Sequence, residues 1–386
     1  MMIAPFTLRA PQNFCPLYLD FTDTTKTIDT RITFARASSA TYIGNDGLLK
    51  TAGSGVARAH AFANHDIATL SCLGFLIEEQ ATNNALWCRD FTNAAWTKTN
   101  MTAALTATGV DGAANSASTL TATAGNATVL QTFTAGSAKS RVSCYVKRRT
   151  GTGNIDMTTD GGATWTTITI TSSWRRYNIP LQTLANPQFG FRIVTSGDAI
   201  DVDYFQQEQK DLVTSAILTT TAAATRLADT ATISGTNFGQ FWNSTEGSIV
   251  VWWSLPQLPT TAQFPGIVCV NDGTQNNEVQ LLIIGTNGRM AQEAHNGGVQ
   301  IVNANGHAVT VAGTQYKASM NFKTNSYSSA LNGTVQPEDT SGTMPTVTQM
   351  LIGRERSSTY PLNGHIQRIA YYKLHMSRTV LGTITA

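Results

Sequence analysis

Charged side chains are scarce in this 386-residue chain. They make up 13% of the residues, about half of the roughly 25% that is usual for soluble domains. The 26 Lys and Arg residues nearly balance the 24 Asp and Glu residues, so that the net charge is only +2. A nucleic-acid-binding protein needs a basic patch or stripe, and so does a polybasic membrane-surface protein. The composition therefore argues against both classes and predicts a chain without nucleic-acid partners.

Cysteine pairs, metal-ligand spacings and catalytic signature motifs are also missing. The five cysteines include no CxxC pair and their number is odd, which argues against a zinc site or a disulfide framework. The six histidines show no HExxH spacing, and the chain has no GxSxG, P-loop or GxGxxG motif. We therefore predict no enzyme, no catalytic residues and no cofactor.

Long apolar runs are absent too. No stretch approaches the 18 or so residues of a membrane-spanning helix, so we expect no membrane insertion. The first sixteen residues contain three prolines and no apolar h-region, and a signal peptide is therefore not predicted. These observations favour assembly in a cytoplasm and release by lysis or another route that needs no signal peptide.

Threonine, in contrast, occurs 59 times. Its β-branched side chain suits a pleated surface that is half in contact with water. Apolar and polar residues alternate in several segments, and Val142, Cys144 and Val146, for example, share one face of a predicted strand. The strands recur with turn residues between them and without helical periodicity. The sequence therefore predicts an all-β protein of β-sandwich modules, with less than roughly 10% helix against a usual 30–35%.

The chain divides into three predicted regions. Residues 1–90 are β-rich and are assigned to an N-terminal attachment region, residues 91–228 carry the sharp alternation of a jelly roll, and residues 229–386 carry the strands of a second sandwich. A stretch of small residues, 210–236, separates the two predicted cores. We expect residues 230–386 to fold as an independent unit.

Three segments in the first hundred residues resemble a signature of bacteriophage tail and virion-appendage proteins. They are RITFARASSATY at 31–42, GFLIEEQATN at 74–83 and DFTNAAW at 90–96. The second segment usually has Arg where this chain has Ala81, so any contact made by that Arg is not carried over. The resemblance implies a subunit of a tail fibre, a spike or a capsid fibre, located in the virion.

Two further segments resemble sandwich modules. The stretch from Tyr145 through Trp174 to Glu208 is similar to jelly rolls of the carbohydrate-binding type. The stretch from Phe241 to Tyr372, which closes with LNGHIQRIAYY, is similar to concanavalin A-like (laminin G-like) sandwiches. These resemblances imply the architecture of the second and third regions more strongly than they imply a function.

Aromatic side chains of the predicted jelly roll are the candidate glycan-binding residues. Trp165 closes the segment TTDGGATW, residues 158–165, which fits the Asp-box pattern of a tight turn with Trp folded back over it. It falls on the Thr-rich face of its strand, and Trp174 and Tyr177 lie on a nearby edge. Aromatic rings stack on the C–H faces of sugars, while hydroxyls and amides bind the rim. The competing interpretation is packing against a neighbouring domain or subunit.

Two carboxylates, Asp201 and Asp203, are spaced two residues apart on a predicted strand and share a face. They are weak candidates for binding Ca²⁺ or for acting as an acid pair. The alternative interpretation is a solvated polar face.

The leading hypothesis is a phage virion protein that binds a bacterial surface polysaccharide and thus acts in host adhesion without catalysis. Its expected partners are other virion proteins and copies of itself, and the resemblance to fibres implies a homotrimer. Several weak sites that face one surface gain strength through avidity. The alternatives are a purely structural capsid-decoration or baseplate component and a glycan depolymerase with carboxylate catalysis. A single Asp-box copy without a propeller repeat argues against a sialidase.

Overall fold

The computed structural model describes residues 15–259, 263–355 and 360–386, and in them the chain is almost entirely β-structure. Strands make up 47% and helices 4%, which confirms the predicted all-β sandwich class. The helix content is small because threonines and alternating apolar residues favour strands. None of the helices in these ranges is long and apolar enough to cross a membrane.

The first strands follow one another closely between residues 17 and 83. They are β1 (Leu17–Asp20), β2 (Thr33–Ala35), β3 (Ala40–Ile43), β4 (Leu49–Ala52), β5 (Asn64–His65), β6 (Cys72–Ile77) and β7 (Ala81–Asn83), with a 3₁₀ turn at His60–Phe62. The strands β3 and β4 form a hairpin. In its turn Gly47 has a φ of +76°, which glycine adopts without a steric penalty.

A two-sheet module follows between residues 97 and 208. Its strands are β8 (Thr97–Thr99), β9 (Met101–Ala107), β10 (Ala117–Ala122), β11 (Ala127–Thr132), β12 (Ala138–Thr150), β13 (Ile155–Thr158), β14 (Thr166–Ile168), β15 (Arg175–Asn178), β16 (Gln182–Leu184), β17 (Gln188–Ile193) and β18 (Ala199–Glu208). One sheet has the order β15-β12-β18-β10-β9, with β16 also paired to β12, and the other has the order β14-β13-β17-β11-β8. The core between them contains Phe91 and Trp96 of the DFTNAAW segment, whose rings stack at 4.1 Å.

The last part of the chain supplies the remaining elements. They are β19 (Ala224–Arg226), β20 (Thr230–Ser234), α1 (Gly235–Gly239), β21 (Glu246–Ser254), β22 (Gly266–Asn271), β23 (Glu278–Ile284), β24 (Arg289–Asn296), β25 (Val299–Ala308), β26 (Gln315–Lys323), β27 (Ser326–Leu331), β28 (Thr334–Val335), β29 (Gln349–Ile352), β30 (Gly364–Tyr372) and α2 (Arg378–Thr385).

A second sandwich is assembled from both ends of the chain. Its eight-stranded sheet has the order β28-β27-β26-β21-β30-β6-β5, with β1 also paired to β30, and its seven-stranded sheet has the order β2-β20-β29-β22-β23-β24-β25. Leu19 lies opposite Ile369, and Phe75 lies opposite Ile366. One hydrophobic core includes side chains from both sheets and from both ends of the chain. The predicted attachment region therefore contributes strands to both sheets of the last module.

The jelly roll is inserted into this sandwich. Strands β7 and β19, which lead into and out of it, pair antiparallel, with Thr82 opposite Thr225. Chain ends that lie close together allow a module to be inserted into another one. We call residues 84–223 the inserted jelly roll and residues 15–83 with 224–386 the host sandwich. The division at residues 90 and 228 stays a prediction about separable units. In the structure, strands of residues 230–386 pair with strands from the start of the chain.

Five charged residues form a buried network where the N-terminal strands meet the segment that follows the jelly roll. They are Arg36, Arg58, Glu78, Arg226 and Asp229, which we call the buried charge network. Arg58 lies 2.5 Å from Asp229 and 2.6 Å from Glu78, and Arg36 lies 2.9 Å from Asp229. Burial alone would raise the pKa of Glu78, but the guanidinium groups of Arg226 and Arg58 hold this pKa well below its ordinary value.

The buried charge network gives a structural role to residues of the phage-like segments. Arg36 belongs to the first of these segments and Glu78 to the second, and both side chains are paired inside the protein. Ala81 lies in β7, which pairs with β19 at the base of the inserted jelly roll. These segments therefore join the chain start to the inserted jelly roll and the host sandwich.

Candidate functional site

The outer side of the sheet β14-β13-β17-β11-β8 is a candidate binding surface. Phe189, Phe191 and Ile193 of β17 point into the core of the jelly roll, and Arg192 between them therefore points outward. The same alternation turns hydroxyl side chains outward on the other strands. We call this surface the threonine face, and its members are Thr97, Thr99, Thr128, Thr132, Asp156, Trp165, Thr167 and Arg192.

One row of side chains crosses all five strands of the threonine face. Pairing places Thr99 opposite Thr128, Thr128 opposite Arg192, Arg192 opposite Asp156, and Asp156 opposite Thr167. Thr99 and Thr167, at the two ends of the row, are exposed. The row thus places hydroxyls on either side of a central ion pair.

The ion pair in this row is rigidly held. Arg192 donates from Nε and Nη2 to Oδ2 of Asp156, at 2.9 and 2.7 Å. The Thr167 hydroxyl donates to Oδ1 of the same carboxylate at 2.6 Å. The Nη1 group of Arg192 has no hydrogen-bond partner among the residues that the structure describes. It is a donor that a bound molecule can use.

The turn before β14 positions Trp165 at the edge of the threonine face. Asp160 accepts a hydrogen bond from the Thr164 backbone at 2.9 Å and one from the Thr158 hydroxyl at 2.8 Å. Burial opposes ionisation of Asp160, but these hydrogen bonds lower its pKa to about 2. Gly162 has a φ of +93°, and a Cβ there would lie 2.7 Å from the Trp165 ring. The glycine therefore allows the ring to fold back over the turn, as the Asp-box pattern predicts.

The Trp165 ring is half-buried and also contacts the ion pair. The Arg192 guanidinium lies 4.7 Å from the ring centroid, which is cation–π distance. Contacts with Gly162 and Arg192 hold the ring in one position without covering all of it. A ring that is held in place and partly exposed loses little entropy when a ligand stacks on it.

Tyr177 lies in the other sheet of the jelly roll, and Trp174 directly precedes its strand β15. Trp174 packs against a hydrophobic cluster that joins the jelly roll to the hairpin β3–β4, and the Lys147 ammonium lies 4.8 Å from its ring centroid. Tyr177, in β15, lies opposite Cys144 of β12 and packs against the jelly-roll core. The structure thus separates these two rings from Trp165 and does not assemble the three into one surface. Their glycan-binding role stays a prediction.

Asp201 and Asp203 each have cationic partners of their own. Asp201 lies 3.1 Å from Arg149 and 3.6 Å from Lys147, and Asp203 lies 2.8 Å from Arg89. Burial raises the pKa of Asp203, and the Arg89 guanidinium opposes this rise. Within the described ranges no group of three or more His, Cys, Asp or Glu side chains could hold a metal ion. Calcium binding by this pair stays a prediction.

Two serine–histidine contacts occur in the described part of the host sandwich. Ser326 Oγ lies 2.9 Å from His375 Nε2, but the same hydroxyl also bonds the Glu338 carboxylate. Ser329 Oγ lies 3.2 Å from His307 Nε2, and the far nitrogen of that ring faces the amide of Gln336 at 3.4 Å. A hydrolytic triad needs a carboxylate on the far nitrogen of the histidine. Neither contact has this arrangement.

Arg192 and Asp156 are the residues that sequence reasoning missed. The signal for them was present, because each lies between two apolar residues of an alternating strand and so had to face outward. Strand alternation does not reveal which strands are neighbours. Consequently it could not show that an arginine and an aspartate 36 positions apart form one ion pair beside Trp165.

No family model matches the chain, and no curated protein matches it. Among solved structures, the chain is similar to the CBM40 of the Ruminococcus gnavus IT-sialidase, at 17% identity over 37% of this chain and 84% of that one, with a TM-score of 0.32. Domain 4 of AbnA, a GH43 extracellular arabinanase from Geobacillus stearothermophilus in complex with arabinotriose, is similar at 13% identity over 43% and 78%, with a TM-score of 0.34. The Trypanosoma rangeli sialidase is similar at 10% identity over 41% and 26%, with a TM-score of 0.32. Likenesses of this size carry no argument about function.

Proposed function

We propose that the chain binds a glycan through the threonine face, without catalysis. The observation that carries the proposal is the position of Trp165, which shares the outward side of a sheet with a row of threonines and the Arg192–Asp156 pair. An aromatic ring offers an apolar surface for the C–H side of a sugar, and hydroxyls offer both donors and acceptors for its rim. Arg192 Nη1 adds one charged donor in a fixed place.

The biological setting that we propose is a phage virion, in a tail fibre, a spike or a capsid fibre that attaches to a bacterial surface polysaccharide. The support for this setting is the resemblance of the segments at 31–42, 74–83 and 90–96 to phage appendage proteins. Other virion proteins and identical copies, as in a homotrimer, are the partners that this setting requires. Several copies of a weak site that face one cell surface would bind with high avidity.

A glycan array tests the binding proposal with the whole chain and with the variant Trp165→Ala. The wild type is expected to bind a restricted set of bacterial polysaccharides. The variant should bind the same set with a single-site loss of about 0.5–1.5 kcal/mol, by analogy with aromatic pairs. Trp174→Ala removes the other candidate tryptophan, which lies beside the other sheet, and it should leave binding unchanged if the threonine face is the site.

Three results would overturn the proposal. If the wild type binds no polysaccharide, the alternative of a purely structural virion component is favoured, which the structural partners of Arg36 and Glu78 also support. If Trp174→Ala abolishes binding while Trp165→Ala does not, the site lies elsewhere on the jelly roll. Release of reducing ends from the bound polysaccharide would instead favour the depolymerase.

A further inference from the structure

A cleft opens between the inserted jelly roll and the host sandwich, on a different part of the molecule from the threonine face. Its volume is about 240 Å³. The jelly roll contributes Tyr145, Arg176 and Asn178 to its wall, and the host sandwich contributes Tyr42, Gln257 and His365. Concave sites at module junctions are common places for small ligands.

The charges around this cleft favour an anion. Arg176 donates to the Thr214 carbonyl at 2.6 Å and to the Ser143 hydroxyl at 2.9 Å, and it forms no ion pair with a described carboxylate. Glu78 also lines the cleft, but Arg58 and Arg226 compensate its charge. The buried charge network behind the cleft contains three guanidinium groups and two carboxylates, so that its sum is positive.

Several polar groups in the cleft are available to a ligand. The phenol oxygens of Tyr42 and Tyr145 have no hydrogen-bond partner among the described residues, although both side chains are at most 6% exposed. His365 contacts Asn64 through Nε2 at 3.0 Å, and its Nδ1 has no partner in the same ranges. Because these groups and the Arg176 N–H groups face one small space, they can bind several oxygens of one molecule at once.

The walls of the cleft combine these donors with apolar surface. The rings of Tyr42 and Tyr145 are joined there by the aliphatic side chains of Ile43, Leu76 and Pro256. A sugar unit presents C–H groups on its faces and hydroxyls on its rim, which matches such walls. A carboxylate on the same unit would match the guanidinium of Arg176, which forms no direct ion pair with a described carboxylate.

We propose that this cleft binds one carboxylate-bearing sugar unit of a hexuronic acid type, with Arg176 and the Tyr145 hydroxyl as donors to the ligand. The inference is independent of the glycan site proposed on the threonine face. Since the ligand would contact both modules, its binding would also hold the inserted jelly roll against the host sandwich.

Isothermal titration of the full chain with glucuronate, glucose and acetate tests this inference. Glucuronate should bind, and glucose and acetate should each bind about tenfold more weakly or worse, because each lacks one half of the recognised chemistry. The affinity for glucuronate should fall as salt is added, and this dependence should be absent for glucose.

Two conservative variants locate the site. Tyr145→Phe removes one hydroxyl, and Asn178→Ala changes an exposed side chain at the cleft mouth, so that both should fold. Tyr145→Phe should weaken glucuronate binding about tenfold, and Asn178→Ala should weaken it in the same direction. Thr310→Ala changes an exposed side chain of the host sandwich outside both proposed sites, and it should leave glucuronate binding unchanged.

The inference is overturned if glucuronate does not bind, if acetate binds as well as glucuronate, or if both cleft variants bind like the wild type. Loss of glucuronate binding in Trp165→Ala but not in Tyr145→Phe would assign the acid to the threonine face. A failed glycan array together with intact glucuronate titrations would overturn the proposed function and leave the cleft site standing.

Discussion

The inserted jelly roll and the host sandwich are both two-sheet sandwiches, but they use the chain in different ways. The jelly-roll core draws its side chains from a continuous stretch, residues 85–205. The host core draws them from residues 17–77 and again from residues 231–371. Two modules of one architecture can thus differ in how far apart in the sequence the residues of one core lie. This separation affects the folding rate and decides whether a fragment contains its whole core.

The largest expected effect is on isolated fragments. Residues 84–223 should melt cooperatively, because this fragment contains its whole core. Residues 230–386 should not, because they lack β1, β2 and β6, and with them core side chains such as Leu19, Phe75 and Ile77. Calorimetry of both fragments beside the full chain measures the difference. A cooperative transition in residues 230–386 alone would restore the boundary that the sequence predicts.

A large effect is also expected from breaking the buried charge network. Glu78→Gln leaves Arg226 without its carboxylate partner among the described residues, and it leaves Arg58 with Asp229 alone. The free energy of unfolding should fall by about 3–5 kcal/mol, as it does when one partner of a buried ion pair is removed. Denaturant titration measures this loss.

The matched control is Asp46→Asn, which breaks the exposed pair between Asp46 and Lys50, 2.8 Å apart. It should change the free energy of unfolding by about 1 kcal/mol or less. Equal effects of the two variants would show that the buried charge network is not a main joint between the chain start and the rest of the host sandwich.

A smaller effect is expected on the pH dependence of stability, which should differ between the two modules. Burial lowers the pKa of His307 and of His365 from 6.5 to about 4, and both lie in the host sandwich. Between pH 6.5 and pH 4, these two histidines bind more protons in the unfolded chain than in the folded one. The free energy of unfolding therefore falls as the pH drops from 6.5 to 4. For His365 the loss at the lower end is on the order of 3 kcal/mol.

The inserted jelly roll should not weaken in this pH range. It contains no histidine, and burial raises the pKa of its Asp203 and Glu208, which opposes a loss of stability on acidification. The lowered pKa of its Asp160 costs stability mainly below the ordinary value of 3.8, outside this range. In calorimetric scans, the host transition should move to lower temperature on acidification while the jelly-roll transition stays. The variant His365→Gln should reduce the shift of the host transition. A parallel shift of both transitions would contradict this assignment.

The smallest expected effect concerns the two tryptophans. Trp174→Ala removes a half-buried ring from the cluster that joins the jelly roll to the β3–β4 hairpin, and should lower the free energy of unfolding by about 1–2 kcal/mol. Trp165→Ala removes a ring that rests on a surface turn and should cost less. Denaturant titrations of both variants show which loss in the free energy of unfolding is larger. A larger loss for Trp165→Ala would indicate that Trp165 has the structural role and that Trp174 is the better candidate for the binding surface.

The sequence predicted local features well. Alternation of apolar residues placed Trp165 on the hydroxyl-rich face of its strand, and the motif TTDGGATW predicted the tight turn before it, because both features depend on neighbours within a few positions. The all-β class followed from the same local pattern. The local pattern could not predict how far Trp174 is exposed, because the hydrophobic cluster that it packs against comes from residues far away in the chain.

By itself, the sequence determined which segments are strands, which side of each strand is apolar, and where tight turns occur, because these depend on side-chain shape and on a period of two residues. Only the tertiary structure decided which strands are partners. Many strands here share one pattern, and the pairing of Leu17–Asp20 with Gly364–Tyr372 depends on the fit of whole faces and edges. The tertiary structure also brought the motif residues Arg36 and Glu78 together in one buried network. Charges can remain in the interior only where they contact oppositely charged partners, and here these partners come from other segments.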